Sequence, residues 1–578
     1  MATLDEVART VLRARYLRQD ATGTVVERPE ELFARVAGNL AQAEARYGGD
    51  VAATARRFER TMANLSFLPN SPTLMNAGTE LQQLAACFVL PVEDSLESIF
   101  TAVKHTALIH QSGGGTGFSF SRLRPEGDVV KKTGGVASGP LSFVRVFDAA
   151  TEQIKQGGRR RGANMAVLDA THPDVREFVT AKREEGTLRN FNLSVATDAD
   201  FWDAYERDAA YDLVNPRTGE PEGSESARDL LELIAETAWE TGDPGLLFLD
   251  AVAEANPTPE LGRIEATNPC GEVPLYPYEA CVLGSVNLGE MTDCGAVDWE
   301  RLRETVHVGV RLLDDAIEMS EFPLPEITEM VEKNRKIGLG VMGFHDMLVD
   351  LGVPYDSEEA VSVAEEVMRF VNDEALAASR RLAAERGPFP NWERSVYESP
   401  VRNATRTTVA PTGTISLIAG CSSGIEPIYG VAYEKRVLGG LDVVNDRFVD
   451  VARDRGFYSE ELIDRLFDRT TIRDVEAIPA DVRRLFQTAH DVPPSRHVEI
   501  QAAFQRHTDN AVSKTVNLPQ SATVEDVREV FLLARDLGVK GVTVFRSGSR
   551  REQVLGEDPL KEECVGECDY VGDRSERA

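Results

Sequence analysis

The chain has 578 residues, enough to bury a large core, and 42% of them are apolar. No apolar run reaches about 18 residues, so the composition predicts a soluble, globular chain without a membrane span. The formal charge of -32, from 63 Lys+Arg against 95 Asp+Glu, repels phosphate backbones and argues against a nucleic-acid partner.

Residues 1–65 are predicted to form an N-terminal helical region. Apolar side chains recur at helical spacing in Leu32-Phe33-Val36-Leu40 and in Ala55-Phe58-Met62-Leu65. The start, Met1-Ala2-Thr3-Leu4-Asp5-Glu6, has neither a basic nor an apolar stretch, so no secretory signal is expected. From 66 onward, short apolar runs alternate with Gly and Pro punctuation. Ala86–Leu90, Asn192–Ala196, Ile337–Met342 and Gly541–Phe545 read as buried strands. Amphipathic helices lie between them, around Leu230–Ala238 and Val306–Ile317. That alternation predicts an α/β domain over 66–553, and the charged, aperiodic 554–578 reads as a mobile tail. The carboxylates are spread along the whole chain, and most basic residues are Arg. Such a surface suits a salt-accumulating organism, or simply an acidic mesophilic enzyme.

Seven cysteines are too few, and odd in number, for a secreted disulfide framework, so a cytoplasmic location is expected. Cys270 lies in Asn268-Pro269-Cys270-Gly271-Glu272, where Pro and Gly exclude regular helix or strand and leave a tight loop. In an extended loop the amide, thiol and carboxylate could face one small volume. A buried, inert Cys in a turn is the plainer alternative.

With this motif, the chain resembles the ribonucleotide reductase catalytic chain, over nearly its whole length and in the adenosylcobalamin-dependent (class II) form. Cys281, downstream of the motif, and Cys87, in Ala86-Cys87-Phe88-Val89-Leu90-Pro91, match the family's redox pair, and Pro69–Gly78 is family-like as well. The resemblance implies a ten-stranded α/β barrel with a central finger loop carrying Cys270, plus the N-terminal helices. It implies that a Cys270 thiyl radical removes the ribose 3′ hydrogen. Glu272 would accept the 3′ hydroxyl proton, and Asn268 would orient the sugar. Cys87 and Cys281 would supply two electrons and finish as a disulfide, which requires Cα atoms about 4.4–6.8 Å apart.

Cys564 and Cys568, in the tail, resemble the family's paired-Cys shuttle to a thioredoxin- or glutaredoxin-like reductant, with half of a zinc site as the competing reading. Cys294 and Cys421 read as structural thiols. Ala410-Pro411-Thr412-Gly413-Thr414-Ile415-Ser416 could cradle an anion or be a plain turn. In the family this segment holds substrate phosphates, with Ser71, Ala86 and Gly115 contributing, and Gly424-Ile425-Glu426-Pro427 is family-like too. The basic cluster Arg159, Arg160 and Arg161 reads as a solvated loop or, by resemblance, as the specificity loop. Asp94 and Arg124 resemble contacts to dNTP or ATP effectors at a homodimer interface.

Class I features are missing. About 65 residues precede Phe67, and Val542-Thr543-Val544-Phe545-Arg546 has no paired Tyr. The reading is therefore a ribonucleotide reductase using adenosylcobalamin, acting on diphosphates or triphosphates with diphosphates the expected form. A class I-like chain needing a radical-generating partner and a non-catalytic nucleotide sensor are the alternatives.

Overall fold

The computed structural model describes residues 4–130, 135–156, 160–184, 186–435, 441–467 and 469–549, with only the backbone of 155, 156, 160, 161, 435 and 441. Arg159, Cys564 and Cys568 lie outside the described residues, as do the side chains of Arg160 and Arg161.

Its centre is a sheet of ten strands. In chain order these are β1 (Phe67–Pro69), β2 (Cys87–Val89), β3 (Gly115–Ser119), β4 (Asn164–Asp169), β5 (Phe191–Thr197), β6 (Gly245–Phe248), β7 (Ala280–Asn287), β8 (Ile337–Met342), β9 (Thr515–Leu518) and β10 (Gly541–Arg546). Strands β2 through β6 pair parallel to one another in sequence order. A second parallel set begins with β7 and β8. It continues through single bridges from Leu339 to Thr407 and from Val409 to Val512, and ends in β9 and β10. The two sets meet antiparallel at both seams, β2 against β7 and β6 against β10. The ring therefore closes, and β1 lies antiparallel along β7. Closure joins the two ends of a sheet built largely of parallel strands.

The alternation of side chains sorts inside from outside. Cys87 and Val89 of β2, Met165 and Val167 of β4, and Cys281 and Leu283 of β7 share one buried cluster inside the ring. Their neighbours Phe88, Ala166, Leu168 and Val282 belong to the larger outer core, under the helices.

The two predicted helices are present as Ala227–Thr241 and Trp299–Met319. The N-terminal region is helical at Pro29–Leu40 and Val51–Ala63, buried through Leu32, Phe33, Val36, Leu40, Phe58 and Met62. The second helix stops before Leu65, whose positive φ of 57° takes it out of the helical stripe. Residues 12–16 form a π-helical turn, which hydrophobic spacing alone does not reveal. Among the described residues no helix is long and apolar enough to cross a membrane.

A layer of buried charge fixes the N-terminal helices to the barrel. Arg386, with 0% of its side chain exposed, bridges Glu44 at 2.8 Å, Asp314 at 2.8 Å and Asp315 at 2.6 Å. Arg335 and Arg402 also reach Asp314. Burial alone would push the Asp314 carboxyl up, but Arg335, Arg402 and Arg386 outweigh it and hold it at about 2.

Candidate active site

A finger enters the ring between two short strands, Ala266–Thr267 and Pro274–Leu275. Glycine makes the entry possible. A Cβ on Gly117 of β3 would sit 1.7 Å from the Thr267 carbonyl oxygen, and one on Gly115 would sit 2.9 Å from Pro269 Cγ. At the tip, the Gly271 amide donates to the Asn268 carbonyl at 3.0 Å, and Gly271 has a φ of 81°. Glycine adopts that left-handed turn without steric cost.

The tip is pinned from three directions. Asn192 of β5 donates through Nδ2 to the Pro269 carbonyl at 2.8 Å. The Glu272 carbonyl accepts from Thr408 Oγ1 at 2.6 Å and from the Ala511 amide at 2.9 Å. Asn268 Oδ1 accepts from the Val273 amide at 2.9 Å, which aims its Nδ2 at Glu272 Oε2, 2.7 Å away. Asn268 and Glu272 are both buried, while Cys270 is partly exposed.

Cys87 and Cys281 stand directly opposite each other across the β2–β7 seam, as free buried thiols. Opposed residues of an antiparallel pair have Cα atoms about 4.5–5.5 Å apart, inside the range of about 4.4–6.8 Å that a disulfide needs. The Cys87 thiol also faces Glu272, with Sγ 3.8 Å from Oε1. Burial pushes the Cys87 thiol well above the usual range, and the Glu272 carboxylate adds to that push. Burial also raises Cys281, against the opposing pull of Lys336. Both groups are therefore held as protonated thiols.

Cys270 opens onto a cavity of about 360 Å³. Pro411, Gly413 and Ser416 line it on one side, and Leu246, Val544 and Phe545 on another. Thr412 and Thr414 are buried behind that loop, which runs into the short helix Ile415–Ala419. Ser71, at the start of helix Ser71–Asn76, has its Oγ 2.8 Å from the Tyr16 hydroxyl. The amide of Gly115 donates to the Ala86 carbonyl at 2.8 Å, which holds these two residues together beside the finger. Of the two cysteines read as structural thiols, Cys421 lines the same cavity and Cys294 is exposed.

Asp94 and Arg124 are not among the residues that line the cavity. The Arg124 guanidinium clasps the Asp94 carboxylate, with Nη2 2.7 Å and Nε 2.9 Å from Oδ2. Among the described residues no group of His, Cys, Asp and Glu is arranged to hold a metal ion. Thr408, Ala511 and Asn192 carry no motif. The only hint in the sequence is a polar side chain inside an otherwise apolar run, as at Asn192.

The chain matches a family model described as ribonucleotide reductase, barrel domain, over residues 85–401 and 395–545. A second model, ribonucleotide reductase, all-alpha domain, matches residues 2–82. A vitamin B12-dependent ribonucleoside-diphosphate reductase of Mycobacterium tuberculosis is 53% identical, over 96% of this chain and 80% of that protein. One of the same description from Thermoplasma acidophilum is 47% identical, over 94% of this chain and 79% of that protein. Among solved structures, the class Id ribonucleotide reductase alpha subunit of Actinobacillus ureae superposes with a TM-score of 0.77 at 22% identity, covering 94% of this chain and 97% of that one. At that identity the likeness is one of fold.

Proposed function

The chain belongs to the ribonucleotide reductase family, and from that membership and the site we infer that it is a vitamin B12-dependent enzyme reducing ribonucleoside diphosphates to 2′-deoxyribonucleotides. The observation that carries the reading is the convergence inside one ring of Cys270, Asn268, Glu272, Cys87 and Cys281. A non-catalytic nucleotide sensor would have no use for that convergence.

The cavity beside Cys270, at about 360 Å³ smaller than adenosylcobalamin as a whole, suits the part of that cofactor that would face the thiol. Aliphatic side chains of β6 and β10 form one wall, and the edge-on rings of Tyr429 and His490, with centroids 5.4 Å apart, form part of another. Leu246, Val544, Phe545, Tyr429 and His490 would hold the group there. When bound, the cofactor supplies the oxidising equivalent that makes Cys270 a thiyl radical.

The protein's own residues do the rest. The Cys270 sulfur takes the hydrogen atom from the ribose 3′ carbon, and Glu272 accepts the 3′ hydroxyl proton, which helps the 2′ hydroxyl leave as water. Asn268, clamped to Val273 and Glu272, is set to hold the sugar in one orientation. Cys87 and Cys281 supply two electrons and two protons and become a disulfide. Cys270 returns the hydrogen atom to the 3′ carbon. The balance is one ribonucleotide and two thiols giving one deoxyribonucleotide, one disulfide and one water. Pro411, Thr412, Gly413, Thr414 and Ile415, with Ser71, Ala86 and Gly115, are assigned to the substrate and its phosphates.

The enzyme requires a reductant, and Cys564 and Cys568 are assigned to relay thiols from a thioredoxin- or glutaredoxin-like protein. Asp94, Arg124, Arg159, Arg160 and Arg161 are assigned to dNTP or ATP effector control in a homodimer. Residues 1–65, 66–553 and 554–578 are taken as helical region, barrel and tail, in the cytoplasm.

The test is to incubate the purified chain alone with a ribonucleoside diphosphate, adenosylcobalamin and a small dithiol. Deoxynucleotide is the expected product. Product formed only when a second protein is added would replace this reading with a class I-like one, and nucleotide binding without any product would replace it with a sensor.

A further inference from the structure

Residues 510–515, which lead into β9, touch both the finger and the lining of the cavity beside Cys270. Near their start, the Ala511 amide holds the Glu272 carbonyl on the finger at 2.9 Å. At their end, the Lys514 ammonium pairs with the Glu426 carboxylate, and the Thr515 amide donates to Glu426 Oε1 at 2.8 Å. The Lys514 side chain is 0% exposed, whereas Glu426 is 23% exposed, and both border the cavity. Segment 422–428, which carries Glu426, is fastened in turn to loop 411–416. The Gly424 amide donates to Thr412 Oγ1 at 2.7 Å, and the hydroxyls of Ser416 and Ser423 lie 3.0 Å apart. From behind, the Tyr355 hydroxyl donates to the Ile425 carbonyl at 2.5 Å, and the Ile428 amide donates to His345 Nδ1 at 3.0 Å.

Thr412 has a φ of 57°, a left-handed backbone that a β-branched residue adopts only when its surroundings impose it. The imposing contacts are those to segment 422–428. A buried ammonium is costly unless it is paired, so Lys514 fits only where Glu426 meets it. The same carboxylate then sets the register of the loop's support against β9 through the Thr515 amide.

We propose that Glu426 is a positioning residue: by accepting from the Thr515 amide, with Lys514 as its counter-charge, it fixes the phosphate loop 411–416 relative to the finger so that one ribonucleotide reaches both. This rests on the ribonucleotide reading of the cavity. Neither residue acts on the reacting atoms. They act through the loop, so their loss should weaken substrate binding more than the chemistry.

Two paired substitutions separate this from a merely structural role. Glu426→Gln with Lys514→Met removes both charges and keeps an oxygen for the Thr515 amide. Glu426→Leu with Lys514→Met removes that oxygen as well. Replacing a buried ion pair by apolar groups of similar volume is often neutral for folding, so both should melt close to the unaltered chain. In the Leu–Met protein the KM for ribonucleoside diphosphate, and its Kd by calorimetry, should rise about tenfold or more, with kcat changed less than about threefold. The Gln–Met protein should recover to within about threefold in KM. If the Leu–Met protein does not fold, Glu426→Asp tests the distance instead, with KM expected to rise because the carboxylate is one methylene short of Thr515. An unchanged KM in the folded Leu–Met protein, or in Glu426→Asp if that pair fails to fold, overturns the proposal, as does an equal loss in both paired variants. No turnover by the unaltered chain counts against the ribonucleotide reading itself, so the two failures are told apart.

Discussion

Glu272 is fixed by its backbone and aimed by its side chain. Thr408 and Ala511 hold its carbonyl, Asn268 holds one carboxylate oxygen, and the Cys87 thiol faces the other. A carboxylate so aimed suits a base serving the ribose 3′ hydroxyl. Glu272→Gln keeps the shape and the hydrogen bond from Asn268 but removes the base. It should cost about 10²–10⁴-fold in kcat with substrate Kd little changed, read by steady-state kinetics beside calorimetry. An unchanged kcat would assign the proton to another group. Motif and resemblance together single out Asn268, Cys270 and Glu272, which the structure brings to the tip of one finger. The contacts that hold them were hidden, because Thr408 and Ala511 are remote in sequence and are joined to the finger only by the closing of the ring.

The finger can enter the barrel only because β3 presents glycine on its inner face. Gly117→Ala would put a methyl group against the Thr267 carbonyl, so the finger should be displaced while the ring still forms. We expect native-like far-UV dichroism with turnover lost, and full turnover would contradict this account of the entry. Another element-scale device is the charged layer between the N-terminal helices and the barrel. Asp314→Asn leaves buried arginines short of a counter-charge and should cost about 3–5 kcal/mol at neutral pH, read by urea unfolding. The Asp314 carboxyl sits at about 2 in the folded chain, below an ordinary value of about 3.9. Its contribution is therefore present above about pH 4 and is lost as the pH falls toward 2. The gap between the unaltered chain and the variant should narrow from pH 5 to pH 3, and a constant gap would count against this pairing. Helices and central strands were legible from hydrophobic period, because their apolar faces repeat. The bridge through Thr407 and Val409 was not, since each residue makes a single ladder contact within a polar stretch. The π-turn carrying Arg15 and Tyr16 was also missed, and it brings Tyr16 to Ser71 and Arg15 within 3.5 Å of Thr414.

Over the whole molecule, two parallel half-rings enclose one reacting centre, and what reaches that centre decides the outcome. Asp94 and Arg124 lie near the start of helix Leu96–Gln111 and do not line the cavity, so an effector there would have to act through intervening structure. If the arginines at 159–161 form the link, one dNTP should raise turnover of one base by about 5- to 150-fold, the usual scale of coupling. Arg160→Ala should flatten that selectivity while turnover without effector persists. A base preference indifferent to every effector would remove the loop from regulation. The central claim is that, of the three thiols gathered in the ring, Cys270 carries the radical. Electron paramagnetic resonance on freeze-quenched mixtures of the chain with adenosylcobalamin and ribonucleoside diphosphate tests it most directly. A sulfur-centred radical should form in the unaltered chain, persist in Cys87→Ser and Cys281→Ser, and vanish in Cys270→Ser. A radical that survives Cys270→Ser, or one lost only with Cys281→Ser, would contradict the account.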